Sequence, residues 1–307
     1  MNIGIIGLGL IGGSFGRAIK AKTAHKVYGS DICPQAIEKA ELLNAIDERL
    51  NKSEDFAKLD VLVYAVTPRA FTGKKSDGSN DACGAKDGFD YSAGRIVPEL
   101  KDGAIVLDVG GTKAYVAEEM ASLAKKHPKI EFVAAHPMAG KEFSGISYSS
   151  SSLFEHASVL LVPISAEIET LELLKDFFTG IGFEYIRFTN AKEHDRIIAY
   201  TSQLPHVLSS CYIGSPTAEH HHGFSAGSFR DLSRVAKMSA PMWAELFIQN
   251  RDNLIYEIDG MLQRTSEIRE LIFNGDEEGL RELLNKNSVK KEEIDRIDRA
   301  WKKKNKE

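Results

Sequence analysis

The stretch Ile3-Gly-Ile-Ile-Gly-Leu-Gly-Leu-Ile-Gly12 decides the fold of this 307-residue chain. Residues 2–6 form an apolar run typical of a buried parallel strand, and residues 14–20 have the pattern of a helix. A Gly-x-Gly-x-x-Gly spacing occurs by chance in many loops, but here it stands between a strand and a helix. This context indicates the first turn of a dinucleotide-binding sheet.

The glycines of this turn have separate tasks in such a site. Gly7 permits a tight turn, Gly9 lets the backbone approach a pyrophosphate, and Gly12 allows the helix to pack closely on the strand. The helix begins near Leu10 and Ile11, where backbone N–H groups and the positive end of the helix dipole favour phosphate. We therefore expect these five residues to bind the cofactor.

A carboxylate follows the second apolar strand, Lys26-Val-Tyr-Gly-Ser30. It belongs to Asp31, which stands nineteen residues after Gly12. At this place a carboxylate accepts hydrogen bonds from both ribose hydroxyls and repels a 2′-phosphate. The sequence thus predicts NAD, and not NADP, as the cofactor.

Strand and helix patterns alternate over the first half of the chain, which predicts an α/β fold with a Rossmann-type, doubly wound parallel sheet over residues 1–188. After residue 189 only helical periodicity continues, which predicts an all-α domain over residues 189–307. The predicted strands lie near residues 2–6, 26–30, 60–66, 104–108, 131–135, 158–162 and 183–188. The predicted helices lie near residues 11–21, 34–43, 114–126, 167–179, 191–213, 228–237, 241–262, 264–273, 276–285 and 290–302.

In an open α/β sheet, ligands bind at the carboxyl ends of the strands. Five segments with polar or glycine residues meet this condition: Gly7–Gly12, Asp31, Thr67-Pro68, residues 108–113 and His136. We expect Thr67 and Pro68 to contact the cofactor. For Asp108 and Lys113 a structural ion pair is favoured over catalysis.

His136 stands between the apolar run Phe132-Val-Ala-Ala135 and the small-residue turn Pro137-Met-Ala-Gly140. A neutral imidazole accepts a proton, and its reference pKa of about 6.5 makes it available near neutral pH. His136 is therefore a candidate acid or base, and the alternative is a structural histidine that caps the turn.

Composition and charge exclude several classes of protein. The chain is 43% hydrophobic with a net charge of −5, which suits two globular domains and gives no reason to expect a nucleic-acid partner. No signal-peptide pattern or run of eighteen apolar residues occurs, so we expect a soluble protein without a membrane partner.

Cys33, Cys83 and Cys211 have no metal-ligand spacing and cannot all pair, which favours the cytoplasm. The triplet His220–His222 cannot converge on one ion from a helix, so we expect no metal.

The segment Phe71–Gly88 interrupts the alternation, because it is rich in glycine, lysine and aspartate and has no apolar period. We expect a mobile surface loop there. An insertion without a function is favoured over a lid above the cofactor.

Seven motifs together carry a family resemblance: Gly7–Ser14, Asp108–Lys113, Ala135–Gly140, Leu153–Glu155, Gln203–His206, Phe229–Ala236 and Pro241–Trp243. With them the chain resembles the prephenate/arogenate dehydrogenase family of tyrosine biosynthesis over nearly its whole length. The resemblance implies oxidative decarboxylation: hydride leaves a cyclohexadienol carbon for NAD, carbon dioxide is lost, and the ring becomes aromatic. It also implies a homodimer formed by the helical domain. The apolar helix surface after residue 240 supports this expectation: Met242, Trp243, Leu246, Phe247, Leu254 and Ile258.

The resemblance also implies roles for single residues. His136 matches the residue that takes the proton of the substrate hydroxyl, and Arg234 matches the arginine that binds a substrate carboxylate. His206 matches a residue that lines the substrate pocket. Arg230 matches a position that more often holds a scaffold residue, paired with Asp231 or a neighbour.

The chain departs from the family pattern at two positions. Many members have serine where Gly111 stands, and its hydroxyl contacts both the substrate and the catalytic histidine. The hydroxyl of Thr112, the next residue, is a possible replacement. Members often have histidine where Gln203 stands, and an amide there can serve either the keto group of prephenate or the amino group of arogenate.

Three alternatives to a prephenate dehydrogenase stay open from the sequence. An arogenate dehydrogenase uses the same chemistry. A β-hydroxyacid dehydrogenase normally has a catalytic lysine in its helical domain, for which Lys192 and Lys237 are available but lie in no recognisable setting. A regulator that binds NAD without catalysis is the third, although it has no need of the proton acceptor His136.

Overall fold

The structure is a computed structural model that describes residues 1–73 and 90–304. Residues 74–88, most of the segment 71–88 for which a surface loop was predicted, lie outside these residues.

One eight-stranded sheet forms the centre of the fold. Its strands are β1 (Asn2–Ile6), β2 (Lys26–Ser30), β3 (Glu48–Arg49), β4 (Val61–Tyr64), β5 (Ile105–Asp108), β6 (Glu131–Pro137), β7 (Ser158–Ser165) and β8 (Tyr185–Phe188). They lie in the order β3-β2-β1-β4-β5-β6-β7-β8, in which β1 is central and the chain winds to both sides. The predicted doubly wound sheet is confirmed.

The sheet is mostly parallel, with one exception between β6 and β7. The connection between these strands contains only a short 3₁₀ helix, Ile146–Tyr148, and no α-helix to cross over the sheet. The chain therefore turns back at the carboxyl edge, where the Met138 N–H donates to the Ser158 carbonyl (2.8 Å). The prediction of an entirely parallel sheet was wrong at this pair.

Two apolar clusters cover the two faces of the sheet, and alternate side chains of the inner strands enter one or the other. Ile3 and Ile5 of β1 join the first cluster, whereas Ile6 joins the second. The apolar runs of the sequence are thus explained by burial on both faces. The first cluster also contains a group of packed phenylalanines: Phe15, Phe154, Phe178 and Phe183.

Helices cover both faces of this sheet and continue after it. They are α1 (Leu10–Lys22), α2 (Pro34–Leu42), α3 (Ser53–Phe56), α4 (Pro68–Thr72), α5 (Ala93–Ile96), α6 (Ala114–Lys126), α7 (Ile168–Gly180), α8 (Ala191–Ile198), α9 (Leu204–Ile213), α10 (Gly227–Ser233), α11 (Ala240–Gln249), α12 (Arg251–Phe273) and α13 (Glu277–Lys304). A π-helical segment, Ala199–Gln203, joins α8 to α9, so that residues 191–213 are helical throughout, as predicted. The short elements β3, α3, α4 and α5 were not predicted, because segments of two to five residues show no usable periodicity.

The helical character of the second half is confirmed, but the helix ends differ from those predicted. The predicted break near residue 263 lies instead at Asn250, between α11 and α12. Gly275, with φ of +66°, separates α12 from α13, and α13 continues through residues 286–289, where a second break was expected.

The chain forms two compact units, Met1–Asn250 and Arg251–Glu307. In the second unit α12 and α13 pack against each other. A functional division at residues 188 and 189 stays a prediction. None of the described helices is long and apolar enough to cross a membrane.

Candidate active site

The glycine turn between β1 and α1 has the geometry that its sequence predicts. Gly7 has φ of +90°, a conformation that side chains rarely adopt. A Cβ atom on Gly12 would overlap the carbonyl oxygen of Gly7, because the helix packs directly on the turn. A Cβ atom on Gly9 would meet no atom within 4 Å, so this backbone borders open space. The turn therefore fits a pyrophosphate at Gly9, where Leu10 and Ile11 begin α1.

Asp31 lies beside this turn at the carboxyl end of β2. Its carboxylate accepts hydrogen bonds from the N–H of Leu8 (2.7 Å) and the N–H of Cys33 (2.8 Å). Burial raises the pKa of Asp31, and these two bonds act in the opposite direction. A carboxylate accepts about four hydrogen bonds, so capacity for ribose hydroxyls remains. A contact of Asp31 with the ribose of NAD stays a prediction.

Thr67 and Pro68 lie at the carboxyl end of β4, the neighbour of β1. Thr67 is the N-cap of α4 and Pro68 is its first residue. The next N–H, that of Arg69, donates to the carboxylate of Glu245 in α11 (2.8 Å). The loop predicted to contact the cofactor is thereby held by a helix from much later in the chain.

His136 ends a row of three hydrogen-bonded side chains. Its Nδ1 lies 2.8 Å from Nε2 of His194, and Nδ1 of His194 lies 2.7 Å from Oδ1 of Asp195. His194 is fully buried and the Asp195 side chain is 3% exposed, whereas His136 is half-buried at the carboxyl edge of the sheet. The row thus extends from the interior of the fold to the edge where ligands are expected.

Burial and positive charge determine the protonation of this row. Burial lowers the pKa of His136 well below its usual value, and His194 and the Lys113 ammonium lower it further. Burial also lowers the pKa of His194, although Asp195 opposes this effect. Both imidazoles are therefore neutral at neutral pH.

Asp195 is held by the start of α6 as well as by His194. Its two carboxylate oxygens accept from the backbone N–H groups of Lys113 and Ala114, both at 2.8 Å. Lys113 itself forms a fully buried ion pair with Asp108, the structural pair that was favoured from the sequence. The Asn250 side-chain amide donates to the Asp195 carbonyl (2.8 Å).

Gly111, one of the two departures from the family pattern, and its neighbour Thr112 both lie against α11. A Cβ atom on Gly111 would lie 3.1 Å from the Leu246 side chain, so a larger residue would be tight there. The Thr112 hydroxyl donates to the side-chain oxygen of Gln249 (2.7 Å). A contact of Thr112 with His136 or with substrate, which stays a prediction, would require this bond to break.

Gln203 is buried, and both ends of its amide are paired. Its nitrogen donates to the Leu246 carbonyl (3.2 Å), and its oxygen accepts from the Asn250 side chain (2.8 Å). The structure therefore gives Gln203 a scaffold contact. The predicted contact with substrate would have to displace one of these two bonds.

His206 and Arg234 lie together in the helical part of this unit. The N–H at Nδ1 of His206 donates to the Ser202 carbonyl (2.8 Å), and the imidazole stacks on Trp243 with ring centres 3.7 Å apart. Burial lowers the pKa of His206, and the charge of Arg234 lowers it further. Arg234, whose side chain is 57% exposed, contacts Glu142 of the loop after β6 at 3.1 Å. Arg234 thus reaches the loop that follows His136.

Sequence reasoning missed His194, Asp195 and Glu142. The first two had a detectable signal, because buried positions of α8 and the π segment recur at residues 194, 195, 198 and 199. A histidine and an aspartate on the buried face of a helix require polar partners, and these two could have been recognised on that ground. Glu142 lies in a loop with no periodicity, and no comparable signal exists for it.

Two sequence models of one protein family, one for each of its domains, match the chain. The model described as prephenate dehydrogenase, nucleotide-binding domain, matches residues 89–187. The model described as prephenate dehydrogenase, dimerization domain, matches residues 190–286.

Curated relatives carry related names. The chain is 29% identical over 286 residues to a prephenate dehydrogenase of Lactococcus lactis, with 90% of this chain and 72% of the relative covered. It is 28% identical over 290 residues to a cyclohexadienyl dehydrogenase of Zymomonas mobilis, with 90% and 89% covered.

Solved structures agree with these relatives. The prephenate dehydrogenase of A. aeolicus, in complex with hydroxyphenyl propionate and NAD⁺, superposes with a TM-score of 0.79 at 28% identity, covering 96% of this chain and 98% of that one. The arogenate dehydrogenase of Synechocystis has a TM-score of 0.73 at 22% identity, covering 96% and 100%. At that identity the second likeness shows the fold alone.

Proposed function

Because the chain belongs to the prephenate/arogenate dehydrogenase family, we propose that it catalyses the NAD-dependent oxidation and decarboxylation of prephenate to 4-hydroxyphenylpyruvate. It is an NAD-dependent oxidoreductase of this family, and prephenate is the proposed substrate. The observation that carries the proposal is a neutral, hydrogen-bonded His136 at the same sheet edge as the glycine turn.

The cofactor site fits NAD. Gly7, Gly9 and Gly12 shape the turn for the pyrophosphate, and Asp31 favours free ribose hydroxyls over a 2′-phosphate. When bound, NAD accepts the hydride that leaves the substrate ring. Support also comes from the A. aeolicus structure, which contains NAD⁺.

His136 is the proposed proton acceptor of the reaction. As hydride leaves the alcohol carbon, the hydroxyl must lose its proton, and a neutral imidazole within hydrogen-bond reach lowers the barrier to that step. The Nε2 atom of His136 takes this proton, since Nδ1 is bonded to His194.

Loss of carbon dioxide then completes the reaction. The bond between the ring and its carboxylate breaks, its electron pair enters the ring, and the oxygen that lost a proton becomes a phenolate. The proton held at Nε2 of His136 returns to that oxygen. Prephenate and NAD⁺ thus give 4-hydroxyphenylpyruvate, carbon dioxide and NADH with no net proton released.

Arg234 and His206 are the proposed substrate-binding residues. Prephenate carries two carboxylates, and a guanidinium binds one of them through two parallel hydrogen bonds. Arg234 is exposed enough to do so, but it must first leave Glu142. His206 stacks on Trp243 near Arg234, and we propose that it lines the same substrate site.

Arogenate is the alternative substrate, because it differs from prephenate only in an amino group in place of the keto group. The cyclohexadienyl dehydrogenase relative leaves this alternative open. A non-catalytic regulator is not favoured, since the relatives are enzymes by name.

The decisive experiment is the initial rate of NADH or NADPH formation by the purified protein. Prephenate and arogenate are each offered with NAD and with NADP. We expect turnover of prephenate with NAD, and a much lower rate with NADP because Asp31 repels the 2′-phosphate. Preference for arogenate would replace prephenate as the substrate, and no turnover in any combination would contradict the proposed function.

The pH dependence of the reaction follows from the lowered pKa of His136. A base works only while it is unprotonated, so activity falls as the pH drops through its pKa. Because burial lowers that pKa, we expect kcat/KM with prephenate to be constant down to about pH 6.5, the ordinary value for histidine, and to fall only below it. A pH profile of initial rates checks this, and an acid limb centred above pH 6.5 would contradict it.

We also propose a homodimer, in keeping with the matched dimerization domain. Two of the apolar residues expected at the interface, Leu246 and Leu254, are instead buried within the chain itself. Other apolar side chains of α12 and α13 are exposed: Tyr256, Leu262, Ile272, Phe273, Leu284, Val289, Ile294 and Ile297. Light scattering tests the proposal, because a monomer has a mass of 33.9 kDa. The cytoplasmic location stays a prediction, which cell fractionation would test.

A further inference from the structure

We propose that His194 and Asp195 are positioning residues that hold the His136 imidazole in one tautomer, with the proton on Nδ1 and a free lone pair on Nε2. This inference builds on the role proposed for His136. It assigns the proton acceptor to one nitrogen atom and explains how the fold keeps that atom available.

Asp195 determines which atom donates in each hydrogen bond of the row. An ionised carboxylate has no proton to donate, so the bond of 2.7 Å to His194 must use a proton on Nδ1 of that imidazole. The other bonds of this carboxylate, from the N–H groups of Lys113 and Ala114, also use it as an acceptor. The carboxylate of Asp195, a residue of α8, lies at the N-terminus of α6, where the helix dipole favours negative charge.

The tautomer of His194 then determines the tautomer of His136. A neutral imidazole has one N–H, and in His194 it is at Nδ1, so Nε2 of His194 has a lone pair. That lone pair accepts the bond of 2.8 Å from His136, which must therefore carry its proton on Nδ1. The Nε2 atom of His136 is left unprotonated. The reverse direction would set a lone pair of His194 against the Asp195 carboxylate.

Burial is the main reason that His194 stays neutral. Burial lowers the pKa of both imidazoles and the Lys113 ammonium lowers both further, whereas Asp195 and Asp108 act to raise the pKa of His194. A second proton on His194 would make its Nε2 a donor and reverse the bond to His136. The neutral state of His194 is thus a condition of the proposed tautomer.

The backbone holds this arrangement in place. Asp195 accepts from two N–H groups of the segment that follows Gly111 and Thr112, and its own carbonyl accepts from Asn250. His194 is on the same turn of α8. The proton acceptor is therefore aligned with the loop in which the family binds its substrate, and a displaced Asp195 would move both.

Two substitutions of His194 separate an acceptor role from simple packing. His194→Gln keeps a carbonyl oxygen that can accept from Nδ1 of His136, whereas His194→Leu keeps an apolar volume and no acceptor. With prephenate and NAD, we expect His194→Leu to lower kcat by about 100-fold or more, since the tautomer is no longer fixed, with KM little changed. His194→Gln should stay within about tenfold of the wild type.

A spectroscopic measurement tests the tautomer without activity. Two-bond ¹H–¹⁵N correlation spectra of protein with ¹⁵N-labelled histidine distinguish protonated from unprotonated ring nitrogens, and a His136→Gln variant identifies the His136 signals. At pH 7.5 we expect Nδ1 of His136 to be protonated and Nε2 to be unprotonated. In His194→Leu the tautomer with the proton on Nε2 should become populated.

The outcomes separate this proposal from the proposed function. A wild-type protein whose His136 carries its proton on Nε2 would overturn the proposal, as would equal kcat values for the leucine and glutamine variants. If the protein oxidises neither substrate, the proposed function fails, but the spectra still decide the tautomer. They also decide it if His194→Leu does not fold, because they use the wild type.

Discussion

Replacing His136 with alanine is expected to lower kcat with prephenate by about 100- to 10,000-fold, the usual contribution of a positioned acid or base. The dissociation constant for NAD should change little, because the glycine turn and Asp31 follow β1 and β2, which are separated from β6 by other strands of the sheet. Initial rates give kcat and KM, and isothermal titration calorimetry gives the affinity for NAD.

A surface histidine provides the control for this substitution. The His156 side chain is 86% exposed, and the residue has φ of +63°, so asparagine is the suitable replacement because it tolerates that conformation. His156→Asn should keep the wild-type rate. If His136→Ala kept more than a tenth of the wild-type kcat, another group would be the proton acceptor. A protein with no turnover to lose would instead support the NAD-binding regulator.

The second large effect is expected at Gly12, which we compare with Gly9. In Gly12→Ala the new Cβ atom overlaps the Gly7 carbonyl, and no flexible side chain is there to move aside. We expect the free energy of unfolding to fall by about 3 kcal/mol, the upper part of the range for overpacking, and NAD binding to be lost. Chemical denaturation and calorimetry measure the two quantities.

Gly9→Ala should separate stability from binding. The new Cβ atom meets no protein atom within 4 Å, so the free energy of unfolding should change by no more than about 0.5 kcal/mol. The affinity for NAD should nevertheless fall at least about tenfold, because the backbone at Gly9 approaches the pyrophosphate. An unchanged affinity in Gly9→Ala would show that the pyrophosphate does not lie at this residue.

The parts of the fold that were predictable are those with a local cause. The strand, turn and helix of residues 2–22 follow from apolar runs and glycine spacing, and the structure forms them with the expected bounds. The antiparallel pairing of β6 with β7 has no local cause, since a strand has the same sequence pattern in either direction. It depends on where the connection over residues 138–157 runs.

The site residues likewise divide into those with a local signal in the sequence and those without one. His136 was visible because one polar residue stands at the end of an apolar strand. Its partner His194 lies 58 residues later and was taken for part of an ordinary helix. Gln203 was assigned to the pocket by resemblance, whereas its hydrogen bonds depend on Asn250, at the end of α11. Such pairings are set by tertiary packing and have no counterpart in local periodicity.

The π-helical segment Ala199–Gln203 lies between His194 and His206. Twelve residues of regular α-helix would rotate His206 by roughly 120° from the direction of His194 around the helix axis. A π turn holds more residues, so each residue in it rotates the chain less, and the segment reduces that offset. One inserted or deleted residue at this place therefore re-aims every later side chain of the helix without changing any of them. A relative with an uninterrupted α-helix here would need a gap in mid-helix for both histidines to align.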